Sequence, residues 1–201
     1  EFAREHRLTL NTVVQAAWSI LLSRYSGEMD VVYGFVTSGR SAPVKGIGSM
    51  VGMLVNTLPM RAQVDPYANL VSWLQQFQKS QADARKYEHS SLVHMRKWAG
   101  IESTQPLFEN ILAFENYPRG TSDKEATGFT VQDIRVFERS NYPLEVVVGP
   151  HEQLSIRLNY DRQHYHDCDM ERLLQHFVVL LESICQPSVA NLSDLVLLSD
   201  A

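Results

Sequence analysis

The chain is poor in the features that mark specialised environments. Its 201 residues include two cysteines, Cys168 and Cys185, too few for a disulfide framework. The pattern predicts both on one final helix, where 17 residues of separation amount to about 25 Å, well beyond the ~7 Å that a disulfide spans. Reduced thiols, the usual state in the cytosol, are expected. No run of Lys and Arg exceeds two residues (Arg85 with Lys86, Arg96 with Lys97), and 18 basic against 23 acidic residues give a net charge of −5. The electrostatic footprint of a nucleic-acid binder is therefore missing. Apolar runs such as residues 178–181 and 146–148 are far short of a membrane span. Glu1-Phe2-Ala3-Arg4-Glu5 places charges where a signal peptide needs an apolar stretch, so a cytoplasmic location is expected. Neither a Gly-x-Ser-x-Gly elbow nor a P-loop occurs, and no internal repeat stands out.

What is present describes a globular chain, 44% hydrophobic and 20% charged, of a length that makes one domain or one lobe of something larger. Leu10, Val13, Val14, Ala17, Trp18, Leu21, Leu22 and Tyr25 recur at spacings of three and four. They predict a core-facing helix with Thr9 as N-cap and Gly27 as stop. Val31-Val32-Tyr33-Gly34-Phe35-Val36 is apolar on both faces, as in a central strand. The small residues of 37–49 predict a long loop, and a second apolar strand is expected over 53–64. Asp65-Pro66 predicts a helix start with Asp65 as cap; Leu70, Leu74 and Phe77 mark its buried face, and its far half, 75–85, reads as solvated. A shorter helix fits 91–98. Strands fit 108–114, 131–137, 144–148 and 154–160, the last with Leu154, Ile156, Leu158 and Tyr160 on its inner face. Residues 118–128 form the most loop-like stretch. A final helix over 169–186, with Asp167 or Asp169 as cap, ends at Pro187, and 191–201 reads as a tail or linker. Alternating helices and strands predict an α/β fold, a layered sheet with flanking helices.

Individual motifs have simple readings. Gly46-Ile47-Gly48 lacks the helix and distant acid of a dinucleotide fingerprint, so it reads as a flexible loop. His164-Tyr165-His166 puts two imidazoles two residues apart without further ligands, and no metal site is expected. His89, followed by Ser90 and Ser91, offers a base and a hydroxyl, but nothing nearby orients them as a triad, and an N-cap explains the serines. Glu115-Asn116-Tyr117-Pro118 and Ser140-Asn141-Tyr142-Pro143 each mark a strand–turn junction. From the residues alone, no catalytic group is self-sufficient.

At Val51-Gly52-Met53-Leu54-Val55-Asn56-Thr57-Leu58-Pro59-Met60-Arg61 the sequence resembles the VGxFVNTLPxR motif of condensation domains from nonribosomal peptide synthetases. Leu10-Asn11-Thr12-Val13-Val14-Gln15-Ala16-Ala17-Trp18, Leu21-Leu22-Ser23-Arg24-Tyr25-Ser26-Gly27 and Asp30-Val31-Val32-Tyr33-Gly34 resemble the helix and strand that precede it in that family. Ser38-Gly39-Arg40, Gly46-Ile47 and Met50 resemble its loop. Tyr87-Glu88-His89-Ser90-Ser91-Leu92 is similar to the motif HQDxPFE, of which His89 survives. Pro106-Leu107-Phe108-Glu109-Asn110 resembles the end of RDxSRNPL, whose Arg-Asp start is replaced by Gly100-Ile101-Glu102. The final helix also fits.

The resemblance implies the C-terminal, acceptor-side lobe of a condensation domain, one of two chloramphenicol-acetyltransferase-like lobes, over residues 1–186, with 187–201 leading toward a downstream adenylation domain. The family's reaction centre, an HHxxxDG string on the N-terminal lobe, does not occur in this sequence. The resemblance thus implies a peptide-bond-forming assembly in which this chain supplies one wall of the substrate tunnel. It binds no cofactor of its own and receives thioesters on the phosphopantetheine of peptidyl carrier proteins. Tunnel or lobe-interface candidates are Ser38, Gly39, Arg40, Gly46, Ile47, Gly52, Asn56, Thr57 and His89, with Asn56 the foremost polar group. Two other readings stay open: a carrier-protein docking module without chemistry, and a standalone acyltransferase using His89.

Overall fold

The computed structural model describes residues 1–41, 44–102, 105–116, 140–150 and 153–198. After a single-turn helix α1 (Phe2–Glu5) comes α2 (Leu10–Ser26). The Thr9 side chain caps it by accepting the Thr12 N–H at 3.0 Å, and Gly27 ends it at φ 75°, a left-handed conformation that glycine adopts without steric cost. The helix is buried along most of its length, including Val13, Val14, Ala16, Ala17, Trp18, Ile20 and Leu21, because it has neighbours on three sides. These are the sheet below, α3 (Leu70–Arg85) and α5 (Asp167–Ile184). Trp18 meets Phe177 of α5 edge-on, ring centres 5.4 Å apart, and donates its indole N–H to Asn110 at 3.0 Å.

The five-stranded sheet has the order β2-β1-β3-β4-β5, built from β1 (Asp30–Thr37), β2 (Asn56–Gln63), β3 (Asn110–Phe114), β4 (Leu144–Pro150) and β5 (Leu154–Tyr160). β1 is antiparallel to β2, with Thr37 opposite Asn56, and parallel to β3. β3 runs parallel to β4, and β4 antiparallel to β5. Helices in one layer over a mixed sheet match the α/β expectation. The apolar core lies between the layers, where Tyr33, Phe35, Leu58, Leu112, Val146 and Val148 meet Leu74, Phe77, Phe177 and Leu180.

Several boundaries differ from the sequence pattern. α3 starts at Leu70 on an Asn69 cap that accepts the Ser72 N–H at 3.1 Å, five residues beyond Asp65. The Asp65 carboxylate instead accepts the Tyr67 N–H at 3.0 Å, an Asx-turn, and the backbone of 66–70 bonds residues 190–193 through Leu70 N to Ala190 O, Leu192 N to Ala68 O and Ser193 N to Pro66 O. Residues 189–195 are therefore packed against the lobe, with Leu192 and Leu195 buried. The far half of α3 is not wholly solvated, since Gln81 is buried and, with Gln78, meets the Thr12 hydroxyl at 2.9 and 3.0 Å. β2 begins at Asn56 rather than 53 because its partner strand ends at Thr37. α5 starts at Asp167 with His166 at the cap position and no side-chain cap bond; the Asp167 carboxylate is taken by Tyr160 at 2.9 Å and Arg162 at 3.0 Å. On β5, Ile156, Leu158 and Tyr160 pack on the core, while Leu154 at the strand's start is exposed. The expected strand 131–137 and loop 118–128 lie outside the described residues.

Candidate functional site

The candidate residues gather at the end of the sheet where β1 stops and β2 starts. Arg40 reaches across its own loop and donates to the carbonyl oxygens of Ile47 at 2.8 Å and Met50 at 3.0 Å. It thereby braces the short 3-10 turn Ile47–Ser49. Gly39 sits at φ 65°, and a Cβ there would fall 1.7 Å from the Leu54 carbonyl oxygen. Only glycine permits this approach, which holds the two arms of the loop together. The Ser38 hydroxyl accepts the Arg40 N–H at 3.4 Å. Gly46 precedes the 3-10 turn at φ 79°, and Gly52 lies exposed, with open space around its α-carbon.

Asn56, the first residue of β2, has both amide N–H groups committed. They donate to the carbonyls of Glu88 and Ser90, each at 2.8 Å, while its own carbonyl accepts the Thr57 N–H at 2.9 Å. The side chain thus clamps the turn between α3 and α4 (Leu92–Trp98) onto the sheet. Thr57 is half-buried beside it. Between the two clamped carbonyls stands His89, whose side chain is exposed. Ser91 caps α4 by accepting the Val93 N–H at 3.3 Å; Ser90 contributes its backbone oxygen to the clamp.

A residue outside the sequence candidates completes the assembly. Glu88 is only 4% exposed, and its carboxylate accepts the backbone N–H of Ser41 at 2.8 Å together with the Ser41 hydroxyl. Hydrogen bonds to a charged acceptor are the stronger kind, so Glu88 fastens the long loop to the turn. Little in the sequence signals this role: the partners are 47 positions apart, and only the place of Glu88 next to His89 draws the eye. Around this hydrogen-bonded frame Val51, Met53 and Val55 expose their side chains. Arg61, further along β2, pairs with Asp30 on β1 at 2.6 Å, and that contact holds the Asp30 carboxyl below its ordinary range.

Among the described residues no group of three or more His, Cys, Asp and Glu is arranged to hold a metal ion. His164 lies 3.3 Å from Asp161. No helix of the described residues is long and apolar enough to cross a membrane.

A mixed five-stranded sheet under one layer of helices, carrying a braced loop and a clamped turn at one end, defines this as a lobe of the layered α/β class. The sequence profile of the condensation-domain family matches residues 1–201, and the chain belongs to that family. A linear gramicidin synthase polypeptide of Brevibacillus parabrevis is 41% identical over 198 residues, 98% of this chain and 3% of the synthase polypeptide. Bacitracin synthase 3 of Bacillus licheniformis is 34% identical over 206 residues, again 3% of its own length. The chain therefore spans a small fraction of the curated relatives it matches. Among solved structures, a holo four-domain nonribosomal peptide synthetase bound to AMP and glycine superposes with a TM-score of 0.83 at 18% identity, covering 99% of this chain and 16% of that one. The first condensation domain of the CDA synthetase gives 0.77 at 18% identity, covering 98% of this chain and 44% of that domain. At these identities the likeness is one of fold.

Proposed function

We propose that this chain is the C-terminal lobe of a peptide-bond-forming condensation domain of a nonribosomal peptide synthetase and forms one wall of its substrate channel. The reaction joins two carrier-bound substrates: the amine of the acceptor attacks the donor's thioester carbon, a C–N bond forms, the C–S bond breaks, and the thiol leaves on the phosphopantetheine arm. That chemistry needs a group in hydrogen-bond reach of the amine and donors aimed at the developing oxyanion. The family's HHxxxDG string is absent from this sequence, so the lobe has no condensation activity by itself and works against an N-terminal lobe carrying that string. Peptidyl carrier proteins and a downstream adenylation domain, reached through residues 187–201, are its further partners, in the cytoplasm.

The observation that carries this reading is the braced assembly at one end of the sheet in a chain of this family. Arg40, Asn56 and Glu88 spend their polar groups on the protein itself. They act as positioning residues, holding Ser38, Gly39, Gly46, Ile47, Gly52, Thr57 and the exposed His89 in one surface. Exposed Val51 and Met53 form the apolar part of that surface, the kind of patch that marks an interaction site.

The test mixes the chain with a separately expressed N-terminal lobe and two loaded carrier proteins. Dipeptide formed only in the mixture is expected. Product from this chain alone would overturn the proposal and point to His89, in which case His89→Ala abolishes it. No product from the mixture, with both lobes shown to be folded and associated, would favour a docking module without chemistry.

A further inference from the structure

The opposite end of the lobe carries a second site. Where α2 stops and β1 begins, a cavity of about 400 Å³ opens among Arg24, Met29, Val64, Pro66, Leu192 and Leu195. The wall is mostly apolar, and Arg24 is its one charged residue. Its guanidinium donates to the Leu192 carbonyl at 2.9 Å, and among the described residues no carboxylate pairs with it. Burial pulls its pKa down from the ordinary value, the sign of a cation losing hydration without gaining a counter-charge. Four acids adjoin wall residues in sequence, and among the described residues none is bonded to Arg24: Asp30 is held by Arg61, and Glu28 is exposed. Asp194 accepts the N–H groups of Asn191 at 2.8 Å and Ala190 at 3.2 Å, and Asp65 accepts that of Tyr67. An arginine has five N–H donors in a planar fork suited to a carboxylate, and one bond to a backbone oxygen leaves most of that capacity unused.

Two observations identify the class of occupant. One side of the cavity is already a docked polypeptide: residues 190–195 lie there, burying Leu192 and Leu195 while giving a carbonyl to Arg24. Exposed apolar residues also adjoin the wall along the chain. Met29 in the wall is 62% exposed, and Tyr67 and Val196, which directly follow wall residues, are 86% and 52% exposed. Arg, Tyr and Met are the residues enriched where proteins meet.

We propose that this cavity receives a polypeptide segment of a partner protein or domain that presents an Asp or Glu carboxylate beside an apolar side chain. The carboxylate takes the free edge of the Arg24 guanidinium, and the apolar neighbour covers Met29 and Tyr67.

The chain, labelled with nitrogen-15, is titrated by NMR with three probes: the peptide acetyl-Leu-Glu-Leu-amide, its glutamine counterpart, and hexanoate. The glutamate peptide is expected to shift the Arg24 side-chain N–H and the Gly27 and Ser193 amides. It should bind about ten-fold more tightly than the glutamine peptide, the usual scale for a hydrogen bond to a charged group. Arg24→Gln should erase that preference. Tyr67→Ala, at an exposed position, should weaken the glutamate peptide while thermal unfolding stays unchanged, which separates binding from folding. No shift up to the solubility limit, equal affinity for both peptides, or a preference that survives Arg24→Gln would each overturn the proposal. Hexanoate as effective as the glutamate peptide would overturn it in favour of a small-acid site.

Discussion

At the end of the sheet where β1 begins, closure is apolar: Leu192 and Leu195 are buried over the terminus of α2, and backbone bonds from 66–70 hold their segment in place. At the end where β1 stops, closure is polar. Arg40, Asn56 and Glu88 side chains tie a loop and a turn to the sheet, and large apolar residues there point outward. Burial is non-directional and scales with area, so the first end tolerates small shifts but not lost volume. Hydrogen bonds fix distances and angles, so the second end holds a surface in one shape at little cost in apolar area. The substrate-channel wall proposed above would suit the second kind of closure.

Three experiments sharpen or break that comparison. The largest effect is expected from Leu192→Ala, at a side chain 2% exposed, which should cost about 2–5 kcal/mol by urea denaturation, as large-to-small core changes do. A loss below that range would mean that the backbone bonds, not burial, hold the segment. Asn56→Ala leaves the carbonyls of Glu88 and Ser90 without this donor and should cost about 1–3 kcal/mol. Its signature is local: faster amide exchange through 86–91 and at Ser41, with the centre of α2 unchanged. Uniformly faster exchange would show that the two ends are not independent. The smallest effect concerns the exposed Asp30–Arg61 pair. Because Arg61 hydrogen-bonds the Asp30 carboxylate and lowers its pKa, the pair contributes stability above the unfolded carboxyl value, about 3.9, and loses it as pH falls through the folded value. The small difference in Tm between the chain and Asp30→Asn should hold at neutral pH, close in acid, and shrink in salt. A difference that widened in acid would contradict the sign of the shift.

Much of this arrangement was legible in the residues. The helix from Leu10 with its Thr9 cap and Gly27 stop, a serine cap at Ser90 or Ser91 (Ser91 in the structure) and the central strand at 31–36 follow from local periodicity and capping chemistry, which act within a turn or two. The VGxFVNTLPxR-like run named the family and drew attention to Asn56. Less legible were features whose partners are remote. Asp65 looks like a helix cap, yet it makes a turn because 66–70 pairs with residues 190–193 more than a hundred positions away. Gln81 looks like a solvated helix residue, yet Thr12 meets it inside.

By itself, then, the sequence determined the class of fold, most of its elements and the family, because short-range periodicity and motif spelling are written in neighbouring residues. Only the tertiary structure decided what the polar residues do. It made Glu88 the fastening of a loop residue 47 positions earlier, and it left Arg24 in a cavity with a carbonyl as its bonded partner. The physical reason is the same in both cases. A polar side chain withdrawn even partly from water takes its role from the groups that meet it in space, and those groups are set by packing rather than by order along the chain.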